Sequence, residues 1–169
     1  LITLAPNSVQ EMADFVALGF DLAFKYRNPA MILTDGVIGQ MMEKVKLPEQ
    51  RVRRTEQEIR KQCPWATLGR TADRSPNIIT SLELDAAIME KNNERFQAKY
   101  RIIENDEVLF QEYHCEDAEY LMVAFGSAAR ICQKTVDLAR QEGIKVGLLR
   151  PITLWPFPTE IIRGYADKV

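Results

Sequence analysis

A single histidine, three scattered cysteines and no long apolar run leave this 169-residue sequence with little ready-made chemistry. Cys63, Cys115 and Cys132 are odd in number and far apart, which argues against a disulfide framework and against a four-thiolate cluster site. No apolar run approaches the roughly 18 residues that a membrane span needs, and the N-terminus lacks the basic and apolar regions of a signal peptide. The expected compartment is therefore the cytoplasm. A formal net charge of -2 gives no general attraction to phosphate backbones or anionic membranes, so neither nucleic acid nor a membrane is an expected partner. Internal repeats and low-complexity tracts are absent as well.

What is present is ordinary globular material, 46% hydrophobic and 27% charged, with room for one domain or parts of two. The organising stretch is Tyr120 to Pro158. Its apolar run Leu121 to Phe125 breaks at Gly126-Ser127, Ala128 to Ala139 then repeat at helical spacing, Gly143 stops the helix, and a second apolar run follows from Ile144 to Leu149. Two short apolar runs joined by a helix of that length predict a parallel βαβ unit, which makes the chain α/β.

Upstream, Ser8-Val9-Gln10-Glu11 fits a capping box and predicts a helix that Asn28-Pro29 ends. Ala30 to Thr34 then reads as a buried strand turning at Asp35-Gly36. From Pro48 to Pro76 the prolines and a charged run that includes Arg51, Arg53, Arg54 and Arg60 predict a surface linker. Thr80 with Glu83 predicts the start of a long helix reaching about Glu112, and Pro158-Thr159 predicts a last helix with Ile161, Ile162 and Tyr165 on its buried face.

Two segments carry a family resemblance. Residues 6 to 45, with Ser-Val-Gln-Glu-Met, the Tyr-Arg-Asn-Pro corner, the Thr-Asp strand end and the Ile38-Gly39-Gln40-Met41 tail, resemble the last helix and strand of the pyrimidine-binding domain in alpha subunits of 2-oxoacid:ferredoxin oxidoreductases, the branched-chain (2-oxoisovalerate) type above all. The stretch from Tyr120 into Arg150-Pro151-Ile152-Thr153-Leu154-Trp155-Pro156 resembles the transketolase C-terminal domain that those subunits share.

The resemblance implies an internal fragment. Residues 1–47 would close the pyrimidine-binding domain, 48–79 would be a linker, and 80–169 would form a partial transketolase C-terminal-like domain: a three-layer, mostly parallel sheet with flanking helices, incomplete at its C-terminus. That Leu1 rather than Met opens the chain fits this expectation. The implied activity is thiamine diphosphate-dependent oxidative decarboxylation of a 2-oxoacid to acyl-CoA, with electrons passed to ferredoxin. Thiamine diphosphate, Mg and the iron-sulfur clusters would be held elsewhere in the parent complex. The partners implied are the beta and gamma/delta subunits and, through them, ferredoxin. The competing reading is a non-catalytic α/β module that binds a nucleotide or acyl-CoA.

Candidate sites are few, and no catalytic or metal-binding residue is expected. Gly126 and Ser127, at a strand end before a helix, form an anion-site candidate, since backbone N–H groups and the helix dipole favour negative charge there. The bland alternative is a tight turn with Ser127 capping the helix, and Ala128 and Ala129 stand where a dinucleotide fingerprint would carry further glycines. His114-Cys115-Glu116-Asp117 offers four potential ligands in a row, but neighbours in an extended chain point apart and no other histidine exists to help, so a solvated turn is expected. Thr34-Asp35-Gly36 is similar to the Gly-Asp-Gly of thiamine diphosphate sites. It starts with Thr, and the next Asn is as distant as Asn77, which argues for a turn instead. Arg150 and Trp155 are expected to make an inter-domain ion pair and interface.

Overall fold

The computed structural model describes residues 1–47, 54–70, 72–73, 75–166 and 168–169. Pro48, Arg51 and Arg53 of the expected linker lie outside the described residues. The chain divides into two compact parts, Leu1–Pro48 with Lys99–Val169, and Glu49–Ala98.

In the first part β1 (Ile2–Leu4) leads into α1 (Val9–Tyr26), whose N-cap Ser8 accepts the Glu11 N–H through its hydroxyl. The reciprocal half of the expected capping box is displaced by one residue. Glu11 accepts from the Asn7 N–H, because its carboxylate is also engaged by Arg150. The helix ends in a left-handed Arg27, and β2 (Ala30–Ile32) follows beside β1 in parallel. The Asp35-Gly36 turn opens a short helix, α2 (Gly36–Gln40).

Thr55 and Glu58 make a complete capping box on α3 (Glu56–Gln62), a helix within the second part that sequence periodicity does not reveal. There Arg60 bonds the Leu68 carbonyl and Asn77 donates to that of Trp65. The predicted start at Thr80 is corrected. Thr80 turns back on the Leu82 N–H, and Asp85 caps α4 (Ala86–Asp106) by accepting from Ala87 and Ile88.

The predicted extension of this helix to Glu112 is also corrected. Phe110–Tyr113 is a strand, β3, antiparallel to β5 (Val146–Pro151), which also pairs in parallel with β4 (Tyr120–Val123). Pairing along β5 overrides a helical tendency that no side-chain period enforces over these residues. Between β4 and β5 runs α5 (Gly126–Gln141), so the expected βαβ unit is present. β6 (Thr153–Trp155) leaves this sheet and pairs antiparallel with β1, and α6 (Thr159–Tyr165) follows.

The α/β class expected from the sequence is therefore the class of the chain. Each three-stranded sheet, β2-β1-β6 and β3-β5-β4, carries one parallel and one antiparallel pair, so the parallel pattern is shared equally with antiparallel edges. Ile2, Leu4, Phe15, Leu22 and Ile103 form one core cluster, with Tyr100 packed edge-on against Trp155 at 5.5 Å between ring centroids. Among the described residues no helix is long and apolar enough to cross a membrane.

Candidate functional site

The turn before α5 is where the sequence places its anion-site candidate, and the structure places a carboxylate there. Gly126 takes φ +62, a conformation that favours glycine, and the Ser127 N–H points at Asp35, Oδ2 accepting at 2.8 Å. A Cβ on Gly126 would lie 3.0 Å from that same oxygen. Asp35 Oδ1 meanwhile accepts the Val37 and Ile38 N–H groups, both at 3.0 Å. One side chain thus caps two helices, its own α2 and the distant α5. Ser127 is not the N-cap of α5: Phe125 holds that position and supplies no side-chain bond.

The N–H groups of Ile38 and then Ser127 hold the Asp35 carboxyl below its ordinary value of 3.8, against the opposing effect of burial. A depressed carboxyl contributes stability that is complete above the unfolded pKa and is lost as pH falls through the lower folded value. Thermal stability from Asp35 is therefore expected to be flat near neutrality and to decline only below about pH 4. Asp35→Asn should lose that acid-dependent portion, because an amide N–H turned toward Ser127 would oppose a second donor. Melting curves from neutral to acid pH check this, and parallel curves for the two proteins would contradict it.

Two more carboxylates sit alongside. Glu43 pairs with Arg130 of α5 and accepts the Val9 N–H at 3.2 Å, and these two partners hold its carboxyl below the usual range. Glu11 takes both oxygens to Arg150 Nη2, at 2.8 and 2.7 Å. Arg150 is 3% exposed, and its Nη1 donates to Gln111 Oε1 at 3.0 Å. Its Nε has no hydrogen-bond partner among the described residues. Arg150 thus joins β5 to α1, while Trp155 is half-buried in the core on β6. In all three cases the acid comes from residues 1–47 and its partner from residues 126–150.

The His114 segment is a tight turn. His114 takes φ 53, its carbonyl accepts from Arg140, and Arg140 also pairs with Asp117 at 2.8 Å. Cys115 is buried with Sγ 3.3 Å from the Leu148 carbonyl, and burial pushes its thiol up, away from thiolate chemistry. Among the described residues no three His, Cys, Asp or Glu side chains are grouped to hold a metal.

At this turn before α5 the residues present do not fit a diphosphate with Mg. Both oxygens of Asp35 are committed to backbone N–H groups. The α5 N-terminus, which would otherwise attract a diphosphate, already faces that carboxylate.

What the sequence reading missed is the reach of Asp35, Glu43 and Glu11 across the chain. The Asp-Gly-Val-Ile pattern carries a helix-start signal for Asp35, but its bond to Ser127 spans 92 positions and leaves no local trace.

The architecture is that of an α/β protein, and sequence comparison places the chain among the ferredoxin-linked oxidoreductases. Residues 1–113 match the family described as "Pyruvate flavodoxin/ferredoxin oxidoreductase, thiamine diP-bdg", and residues 118–169 match "Pyruvate:ferredoxin oxidoreductase core domain II". The chain belongs to this family of 2-oxoacid:ferredoxin oxidoreductase subunits. It is 49% identical over 166 residues to ketoisovalerate oxidoreductase subunit VorB of Methanothermobacter marburgensis, covering 98% of this chain and 46% of that one. To 2-oxoglutarate synthase subunit KorA of Methanocaldococcus jannaschii it is 33% identical, covering 99% of this chain and 50% of the other. The chain spans about half the length of the curated relatives it matches. In fold it is similar to a solved 2-oxoglutarate:ferredoxin oxidoreductase from Magnetococcus marinus, with a TM-score of 0.74 at 20% identity over 98% of this chain and 33% of that chain.

Proposed function

We propose that the chain is a scaffold and assembly part of the alpha subunit of a thiamine diphosphate-dependent 2-oxoacid:ferredoxin oxidoreductase of the ketoisovalerate type, working in the cytoplasm. The observation that carries this reading is the 49% identity to a ketoisovalerate oxidoreductase subunit across nearly the whole chain. In such an enzyme the cofactor, bound elsewhere in the assembly, supplies carbanion stabilisation for decarboxylation, while the protein supplies position and surroundings.

The roles of this chain's own residues follow from their bonds. Asp35, Glu43 and Glu11 fix α2 and α1 against α5 and β5. Residues 1–47 would close the pyrimidine-binding domain, 48–79 would be a linker, and 80–169 would belong to the transketolase C-terminal-like domain. The β1 to β6 pairing supports a rigid junction between the first and last of these. Partners in this reading are the beta and gamma/delta subunits, with ferredoxin reached through the complex.

Calorimetry of thiamine diphosphate with Mg against the isolated 169-residue chain tests the scaffold role. No micromolar binding is expected, since the Ser127 N–H at the start of α5 is taken by the Asp35 carboxylate. Micromolar binding would overturn the assignment of the cofactor to other parts of the assembly.

A further inference from the structure

Along one side of α5, Ile131 and Leu138 face Val37 and Met41 of the α2 segment across an open groove of about 450 Å³. Ile131 is 67% exposed, and beyond the groove Met42 is 98% exposed. Single exposed apolar side chains are ordinary, but a contiguous set of this kind on a soluble surface marks a place where something packs.

Two cations, Arg130 and Lys134, line the groove. Arg130 is neutralised by Glu43, whereas among the described residues no ion pair of Lys134 occurs. Lys134, which also borders Asp137 on its other side, therefore brings to this mostly apolar groove a cation that no carboxylate meets at ion-pair distance among the described residues. An open groove does not enclose roughly 70–90% of a small ligand's surface, as small-molecule sites do. A ridge of polypeptide matches it better, with apolar side chains laid along α5 and one carboxylate brought to Lys134. The curated relatives that the chain matches are about twice its length, so they contain polypeptide outside this span from which an occupant can come.

We propose that the α2/α5 groove is the docking face for a polypeptide segment of the oxidoreductase outside the span of this chain, one that presents an apolar ridge and an acidic side chain to Lys134. This rests on the function proposed above.

The test is thiol labelling of Ile131→Cys in a Cys132→Ser background, measured on the 169-residue chain alone and on the assembled oxidoreductase that contains it. Labelling is expected to be at least about tenfold slower in the assembly, as for a side chain reached only through local opening. Lys134→Glu should restore several-fold of the lost rate, and Lys134→Arg should not. Equal rates in the chain and the assembly would overturn the docking face, as would protection of the isolated chain that grows with its concentration, the mark of a second copy. Equal behaviour of Lys134→Glu and Lys134→Arg would overturn the acidic contact. An assembly that reduces ferredoxin while Ile131→Cys stays reactive sinks this inference alone, whereas failure to assemble sinks the functional reading with it.

Discussion

Glu11→Ala is expected to destabilise the chain by about 3–5 kcal/mol, the cost of removing one partner from a buried ion pair. Arg150 is almost fully buried and sends Nη2 to both Glu11 oxygens, so the substitution leaves a guanidinium with Gln111 as its remaining side-chain partner. Its Nε is already without a hydrogen-bond partner among the described residues, which leaves little compensation in place. The Asn7 N–H loses its acceptor at the same time. Urea unfolding at neutral pH measures the loss. A second variant identifies the cause: in the Glu11→Ala, Arg150→Met protein the orphaned charge is gone, and much of the stability should return. If the double variant is as unstable as the sum of the single ones, the damage is ordinary packing loss and the ion pair is not its source.

Gly147→Ala should be the most damaging change for its size. A Cβ at this position on β5 would stand 2.7 Å from the His114 carbonyl oxygen, 3.0 Å from Ala118 Cβ and 3.1 Å from Cys115 Cα. Two of these three atoms belong to backbone and cannot rotate away. Overpacking commonly costs about 1–3 kcal/mol, and a backbone clash on a central strand belongs at or above the top of that range. The clash would force the His114–Ala118 turn from β5 and loosen the bond between the Arg140 guanidinium and the His114 carbonyl. Unfolding by urea, read together with the reactivity of Cys115, checks both parts. A stability within about 0.5 kcal/mol of the parent, typical of a surface change, would contradict this geometry.

These two positions show what the sequence carried and what it could not. The βαβ unit from β4 to β5 was legible because strand and helix each impose a side-chain period, and because Gly126 and Gly143 punctuate them. The start of α1 was legible because capping is local. Strand β3 was not, since Phe110 to Tyr113 alternate no more clearly than the helix before them and are fixed by pairing with β5. The Arg150 partner was equally hidden. A buried arginine beside proline announces a need for an acid, but Glu11 lies 139 positions away. Gly147 reads as a weak point in a strand until the His114 turn is seen to press against it. The family resemblance rested on short motifs such as Ser8 to Met12 and Arg150 to Pro156. The same motifs hold the residues that join the two family-matched stretches, Glu11 and Arg150 among them.

The most direct test of the account is 2-oxoacid-dependent reduction of ferredoxin by the purified oxidoreductase that contains this chain, with the 169-residue chain alone run in parallel. The assembly should reduce ferredoxin with 2-oxoisovalerate when thiamine diphosphate, Mg and coenzyme A are supplied, and the lone chain should show no turnover. An assembly that binds this chain yet turns over no 2-oxoacid, or a lone chain that turns one over by itself, would contradict it.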